Sequence, residues 1–115
     1  MGELELERLK KLTKWKRYAW YIVEAVKRLY PKSRVYLIGS VAEGTYTSSS
    51  DIDILVIIPE GPKPVELSKI RFKLWEEAAR LGIPWDNPIN LLVVVEPQAK
   101  EFLSRTRRFI KLWPD

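Results

Sequence analysis

The chain has 115 residues, 46% hydrophobic and 30% charged, with a formal net charge of +5. That suffices for one domain with a core, residues 1–115, and is too little for two. With no Cys and no His, disulfides, thiolate metal sites and histidine general bases are excluded.

In chain order, residues 4–30 are predicted to form one long helix. Leu9, Leu12, Ala19, Ile22, Val23, Val26 and Leu29 recur at three- to four-residue spacing, and Pro31 stops the run. Residues 35–38 are a short apolar strand ending at Gly39. Residues 40–44 form a helical turn closed by Gly44, and 45–50 a polar loop of small residues. Residues 52–58 read as a β-branched strand ended by Pro59, and 59–64 as a loop. Helical spacing returns over 65–81 through Leu67, Ile70, Leu74 and Ala78, with Gly82 as cap. PWDNP is a turn, 89–95 a third strand, and Pro97 opens a last helix running through Phe102, Leu103, Phe109 and Ile110.

The order α-β-(short α)-β-α-β-α implies an α/β (α+β) fold. It would hold a small mixed sheet of three or more strands flanked by helices. The link between the first two strands is too short for a crossover helix, so those strands are expected to be antiparallel neighbours.

No Lys or Arg occurs from 35 to 62, a stretch that holds Glu43, Asp51, Asp53 and Glu60. Either the strands merely lack lysines, or an acidic cation-binding centre sits within a basic surround that attracts polyphosphate. Strand side chains alternate faces, so Asp51 and Asp53 share one face with Leu55 and Ile57. Two carboxylates this close repel, and partial burial adds to the cost. They are either solvated at a strand start or hold a divalent cation between them. Without His or Cys, that cation is a hard one such as Mg2+. Gly39-Ser40 ends the preceding strand. Glycine permits close approach of a phosphate, and the serine hydroxyl and following amides can donate to its oxygens.

The stretch GSVAEGTYTSSSDID resembles the Gly-Ser-x10-Asp-x-Asp signature of the minimal nucleotidyltransferases, within the DNA polymerase β-like superfamily. The resemblance covers roughly residues 26–109. It implies that Gly39 and Ser40 bind nucleotide phosphates, and that Asp51 and Asp53 are catalytic and hold Mg2+ or Mn2+. The substrate would be ATP or another nucleoside triphosphate. It also implies a partner. Similar proteins form the antitoxin half of two-gene toxin–antitoxin pairs with a small helical HEPN protein, and can attach AMP to a tyrosine of the toxin.

Two positions depart from the family pattern. Glu43 stands where arginine is usual, and Asn90 where a third carboxylate is usual. Asparagine is neutral and cannot act as a base. Asp86 and Glu96 are candidate substitutes. The alternative function is therefore a non-catalytic nucleotide-binding or adaptor protein that docks a partner.

Trp15, Tyr18 and Trp75 either cap the core or face a homo-oligomer interface. Arg105, Arg107, Arg108 and Lys111 are placed on the last helix as a solvated basic face, and no nucleic-acid recognition motif accompanies them. No apolar run approaches the ~20 residues that span a membrane. The charged start MGELELERLKK lacks a signal-peptide core. A cytoplasmic protein is the expectation. One Gln and two Asn among many charges lean towards a thermophile.

Overall fold

A computed structural model describes residues 1–61 and 64–115. The loop expected over 59–64 therefore lies partly outside the described residues, at Pro62 and Lys63. The elements are α1 (Glu3–Thr13), α2 (Trp15–Leu29), β1 (Arg34–Ile38), α3 (Gly39–Glu43), β2 (Ile52–Ile58), α4 (Leu67–Arg80), β3 (Ile89–Val95), α5 (Glu96–Ser104) and β4 (Ile110–Trp113).

The strands form a mixed sheet in the order β3-β2-β1-β4. β1 and β2 are antiparallel, as their short connection requires. β2 and β3 are parallel, joined by the crossover through α4. Alternation along β2 divides the core into two layers. Ile52, Ile54, Val56 and Ile58 pack with Ile22 and Val26 of α2 and with Ile70, Leu74 and Ala78 of α4. Leu55 and Ile57 face the other way and pack with Tyr36, Ile38, Val94 and Ala99 of α5. The mixed α+β sheet flanked by helices is the architecture expected from the sequence.

Three expectations are corrected. The helix over 4–30 is two helices, interrupted at Lys14, whose backbone leaves the helical basin at φ −100°, ψ 28°. Thr13 precedes the break and donates its hydroxyl to the carbonyl of Lys10 at 2.7 Å. A β-branched residue that bonds back to its own turn disfavours helix continuation. The break lets α1 swing its single buried residue, Leu12, onto the core while α2 buries Ala19, Ile22, Ala25 and Val26. Leu29, expected in the stripe, is 39% exposed.

The last helix ends at Ser104 rather than continuing to Ile110. Thr106 bonds its hydroxyl back to Phe102 at 2.8 Å, and the chain turns into β4. β4 pairs antiparallel with β1 and places Ile110, Leu112 and Trp113 against the main core. Lys27 of α2 lies 4.7 Å from the Trp113 ring centroid, a cation–π contact that ties β4 to the helical layer.

Consequently the basic run is not one helix face. Arg105 caps α5, Arg107 and Arg108 lie in the connection, and Lys111 is on β4. Trp15, Tyr18 and Trp75 are partly buried against the main core. The tryptophans that face solvent are instead Trp85, 94% exposed, and Trp20, 50% exposed, and Phe72, Phe102 and Phe109 are exposed with them. No helix among the described residues is long and apolar enough to cross a membrane.

Candidate nucleotide site

Register brings the sequence-derived residues together at one end of the sheet. Ile38, the last residue of β1, pairs with Asp53 on β2, and Asp53 pairs with Asn90 on β3. The chain leaves β1 at Gly39 and enters α3 immediately. The Gly39 Cα, the Asp53 carboxylate and the Asn90 amide therefore meet across three neighbouring strand ends.

Gly39 is required there for two reasons. Its φ of +75° is in the left-handed region that favours glycine. A Cβ on Gly39 would also collide with Asp53 Oδ2 and come within 3.1 Å of its Cγ. The glycine thus makes room for the acid. Gly39→Ala is expected to destabilise the fold by about 1–3 kcal/mol, from the left-handed backbone plus displacement of Asp53. Urea unfolding measures this. A smaller loss in an Asp53→Ala background would assign the difference to the carboxylate contact.

Ser40 is the second residue of α3 and is half-buried. Ile38 provides no side-chain cap, so the first amides of α3 lack the partners that a longer helix would give them internally. Gly44 closes the turn at φ +76°, with its N–H donating to the carbonyl of Val41.

The two aspartates differ in environment. Asp53 is half-buried and accepts a hydrogen bond from Asn90 Nδ2 at 3.0 Å. Burial pushes its pKa above the ordinary carboxylate value. The Asn90 hydrogen bond pulls it down, and the charge of Asp51 pushes it up. Asp51 is exposed, immediately before β2, and is paired with Arg8 of α1 at 2.5 Å. Arg8 also donates to the carbonyl of Ser50 at 2.8 Å.

The substitutes considered for the third acid separate clearly. Glu96 lies at the opposite end of β3, six residues past Asn90 and about 20 Å away at strand rise, where Arg34 holds it at 2.7 Å. It takes no part in this end of the sheet. Asp86 is at the correct end, in the turn before β3. Its carboxylate is held by Lys11 Nζ at 2.8 Å, and that hydrogen bond lowers its pKa. Asn90 is the group in register.

Beside Gly39, between the end of β1 and α5, is an open cavity of 680 Å³. Its walls are Ile38, Gly39, Glu43, Gln98, Glu101, Phe102, Arg105, Thr106 and Arg107. That volume is in the range of small-molecule sites. The sequence signal for this wall was the basic run from Arg105. Placing it on a helix face hid its position beside Gly39.

The donor chemistry suits a hard divalent cation. Asp51 and Asp53 supply carboxylates, Ser40 a hydroxyl and Asn90 a free carbonyl oxygen, with no nitrogen or sulfur ligand in the set. No group of three or more His, Cys, Asp and Glu side chains converges among the described residues. A two-carboxylate site whose remaining ligands are water and phosphate is the usual setting for Mg2+.

Over 76 residues the chain is 30% identical to "Putative protein adenylyltransferase MJ0141" of Methanocaldococcus jannaschii, covering 66% of this chain and 73% of that protein. A crystal structure of "a putative nucleotidyltransferase" from Sulfolobus solfataricus superposes with a TM-score of 0.64 at 24% identity, over 98% of this chain and 89% of the other. A toxin–antitoxin structure with AMP-PNP superposes with a TM-score of 0.51 at 26% identity, over 83% of this chain and 72% of the other. Residues 21–113 match the family described as "Nucleotidyltransferase domain". The chain belongs to the nucleotidyltransferase domain family.

Proposed function

We propose that this nucleotidyltransferase moves AMP from ATP to a hydroxyl of a partner protein, as the antitoxin half of a pair with a small helical HEPN-type toxin. The single observation that carries the reading is the meeting of Gly39, Asp53 and Asn90 at adjacent strand ends. The relative named as a protein adenylyltransferase and the toxin–antitoxin likeness support the choice of acceptor.

In this reading Gly39, Ser40 and the first amides of α3 take the β- and γ-phosphates. Asp51 and Asp53 hold Mg2+, or Mn2+ in its place. When bound, the cation screens the negative charge that grows as pyrophosphate leaves. The cavity beside Gly39 seats the nucleoside, with Ile38 and Phe102 against the base and Gln98 and Thr106 within the polar part of the wall. The acceptor oxygen forms its bond to the α-phosphorus as the bond to the β-phosphate oxygen breaks, and the hydroxyl proton leaves to solvent. Asn90 cannot take that proton. Docking of the partner therefore does most of the positioning, and transfer to water or free amino acids is negligible. The exposed Trp85, next to Asp86 at this end of the sheet, is available to a docked partner or a second copy.

The test is incubation with ATP and Mg2+, with and without the product of the adjacent gene, followed by mass spectrometry of both proteins. The expected result is a gain of one AMP on the partner. A tight complex whose partner stays unmodified would favour the docking-only alternative.

A further inference from the structure

The N-terminal helix α1 precedes residue 21, where the family match begins. It nevertheless reaches the acid pair. Arg8 Nη2 donates to Asp51 and to the carbonyl of Ser50, just before β2. Three residues on, Lys11 Nζ donates to the carboxylate and carbonyl of Asp86, just before β3. Positions i and i+3 share a helix face, so α1 lays one basic edge across the loops that lead into the two strands. Leu12, wholly buried, fixes the helix in that orientation.

The Arg8 contact is exchangeable. Its side chain is 36% exposed and that of Asp51 52%, and such pairs are weak and screened by salt. Only Nη2 is engaged; Nε and Nη1 have no partner among the described residues. The acid strands bring no cation of their own, since no Lys or Arg lies between 35 and 62. Arg8 is the guanidinium that α1 delivers to them.

We infer that Arg8 is a phosphate-binding residue of the transfer site, screening Asp51 until a divalent cation takes that carboxylate and then turning its guanidinium onto the triphosphate. The inference rests on the function proposed above. A guanidinium on Asp51 Oδ1 at 2.5 Å and a divalent cation at about 2.0–2.1 Å from the same carboxylate repel each other, and the divalent charge holds the carboxylate more strongly. The released guanidinium stays tethered by α1 beside the phosphates, and its planar fork matches two phosphate oxygens at once.

The experiment is calorimetric titration of the full chain and of Arg8→Gln, with Mn2+ alone and with ATP plus Mg2+. Removing a competitor should tighten Mn2+ alone several-fold, while losing a charge-assisted contact should weaken ATP roughly 10-fold. Arg8→Lys keeps the charge without the fork and should fall between the two in ATP affinity. Opposite signs in one variant are a signature that loss of structure cannot produce, because unfolding weakens both. Arg8→Gln that leaves ATP affinity unchanged, or weakens both ligands, overturns the inference while wild-type binding leaves the proposed function standing. A wild-type chain that binds neither Mn2+ nor ATP overturns the function, and the Arg8 assignment with it.

Discussion

Asp51→Asn/Asp53→Asn is expected to abolish Mg2+-dependent ATP binding and any AMP transfer, without unfolding the protein. The first half follows from the donor set: the Asp53 carboxylate lies against Gly39, and Asp51 stands two residues before it, immediately ahead of β2. The second half follows from their surroundings. Burial and the nearby Asp51 hold the Asp53 pKa above its ordinary value. An acid with a raised folded-state pKa adds to stability below its unfolded pKa, and that contribution is lost as pH rises through the raised value. At neutral pH the ionised Asp53 is therefore a cost to the fold. Asn at 53 keeps the shape over Gly39 and still offers an oxygen to Asn90. Asp53→Asn alone should raise the thermal midpoint at pH 7, with the gain shrinking as pH falls towards the ordinary carboxylate range. Losing the Arg8–Asp51 pair offsets at most about 1 kcal/mol, since both side chains are substantially exposed. Calorimetry with ATP and Mg2+ checks the first claim and thermal melts at two pH values the second. Unchanged ATP affinity in the folded double variant would sink the assignment of Asp51 and Asp53.

How much of this was legible in the sequence depended on whether local pattern and tertiary role agreed. β2 and β3 were found to the residue because β-branched runs flanked by Pro, Gly and Asp have no competing helical spacing. The same-face placement of Asp53 with Leu55 and Ile57 followed from strand alternation and holds in the packed layers. The register of β2 on β3, which sets Asn90 against Asp53, agrees with the position the family resemblance gave to the third strand. What failed was long-range. β4 reads I-K-L-W, a period-two pattern of four residues, and Phe109-Ile110 fell by chance on the helical spacing of Phe102 and Leu103. Only pairing with β1 decides it. Likewise the only local mark of the break at Lys14 is the β-branched Thr13 before it, a weak signal in a stripe that continues across. The turn is fixed by Leu12 entering the core and by Arg8 and Lys11 reaching loops more than forty residues away in sequence. The cavity wall from α5 and the basic edge of α1 were hidden for the same reason: both depend on where a helix ends.

Asn90→Asp is the substitution that decides how far this chain has moved from ordinary nucleotidyl transfer. Asn90 Nδ2 donates to Asp53 Oδ1 at 3.0 Å, a neutral group supporting a half-buried carboxylate. An acid there would remove that donor and set a second carboxylate in register against the first. In metal-free buffer the Asp53 pKa should rise further, and the variant should melt below wild type at pH 7 and recover as pH falls. Mg2+ should reverse the deficit, because a third carboxylate strengthens cation binding and a ligand that binds only the folded state stabilises it by mass action. The rise in thermal midpoint on adding Mg2+ should therefore be larger in the variant than in wild type. In the presence of the acceptor, transfer should increase by roughly 10²–10⁴-fold, the range for one positioned proton acceptor. The readouts are melts with and without Mg2+ and the rate of AMP incorporation. No gain in either, in a variant that still folds, would mean that Asp86 or the partner supplies the missing acid, or that docking alone activates the hydroxyl. Asp86→Asn, which frees Lys11, isolates the first outcome: loss of transfer assigns the acid to Asp86, and retained transfer leaves activation to the partner or to docking alone.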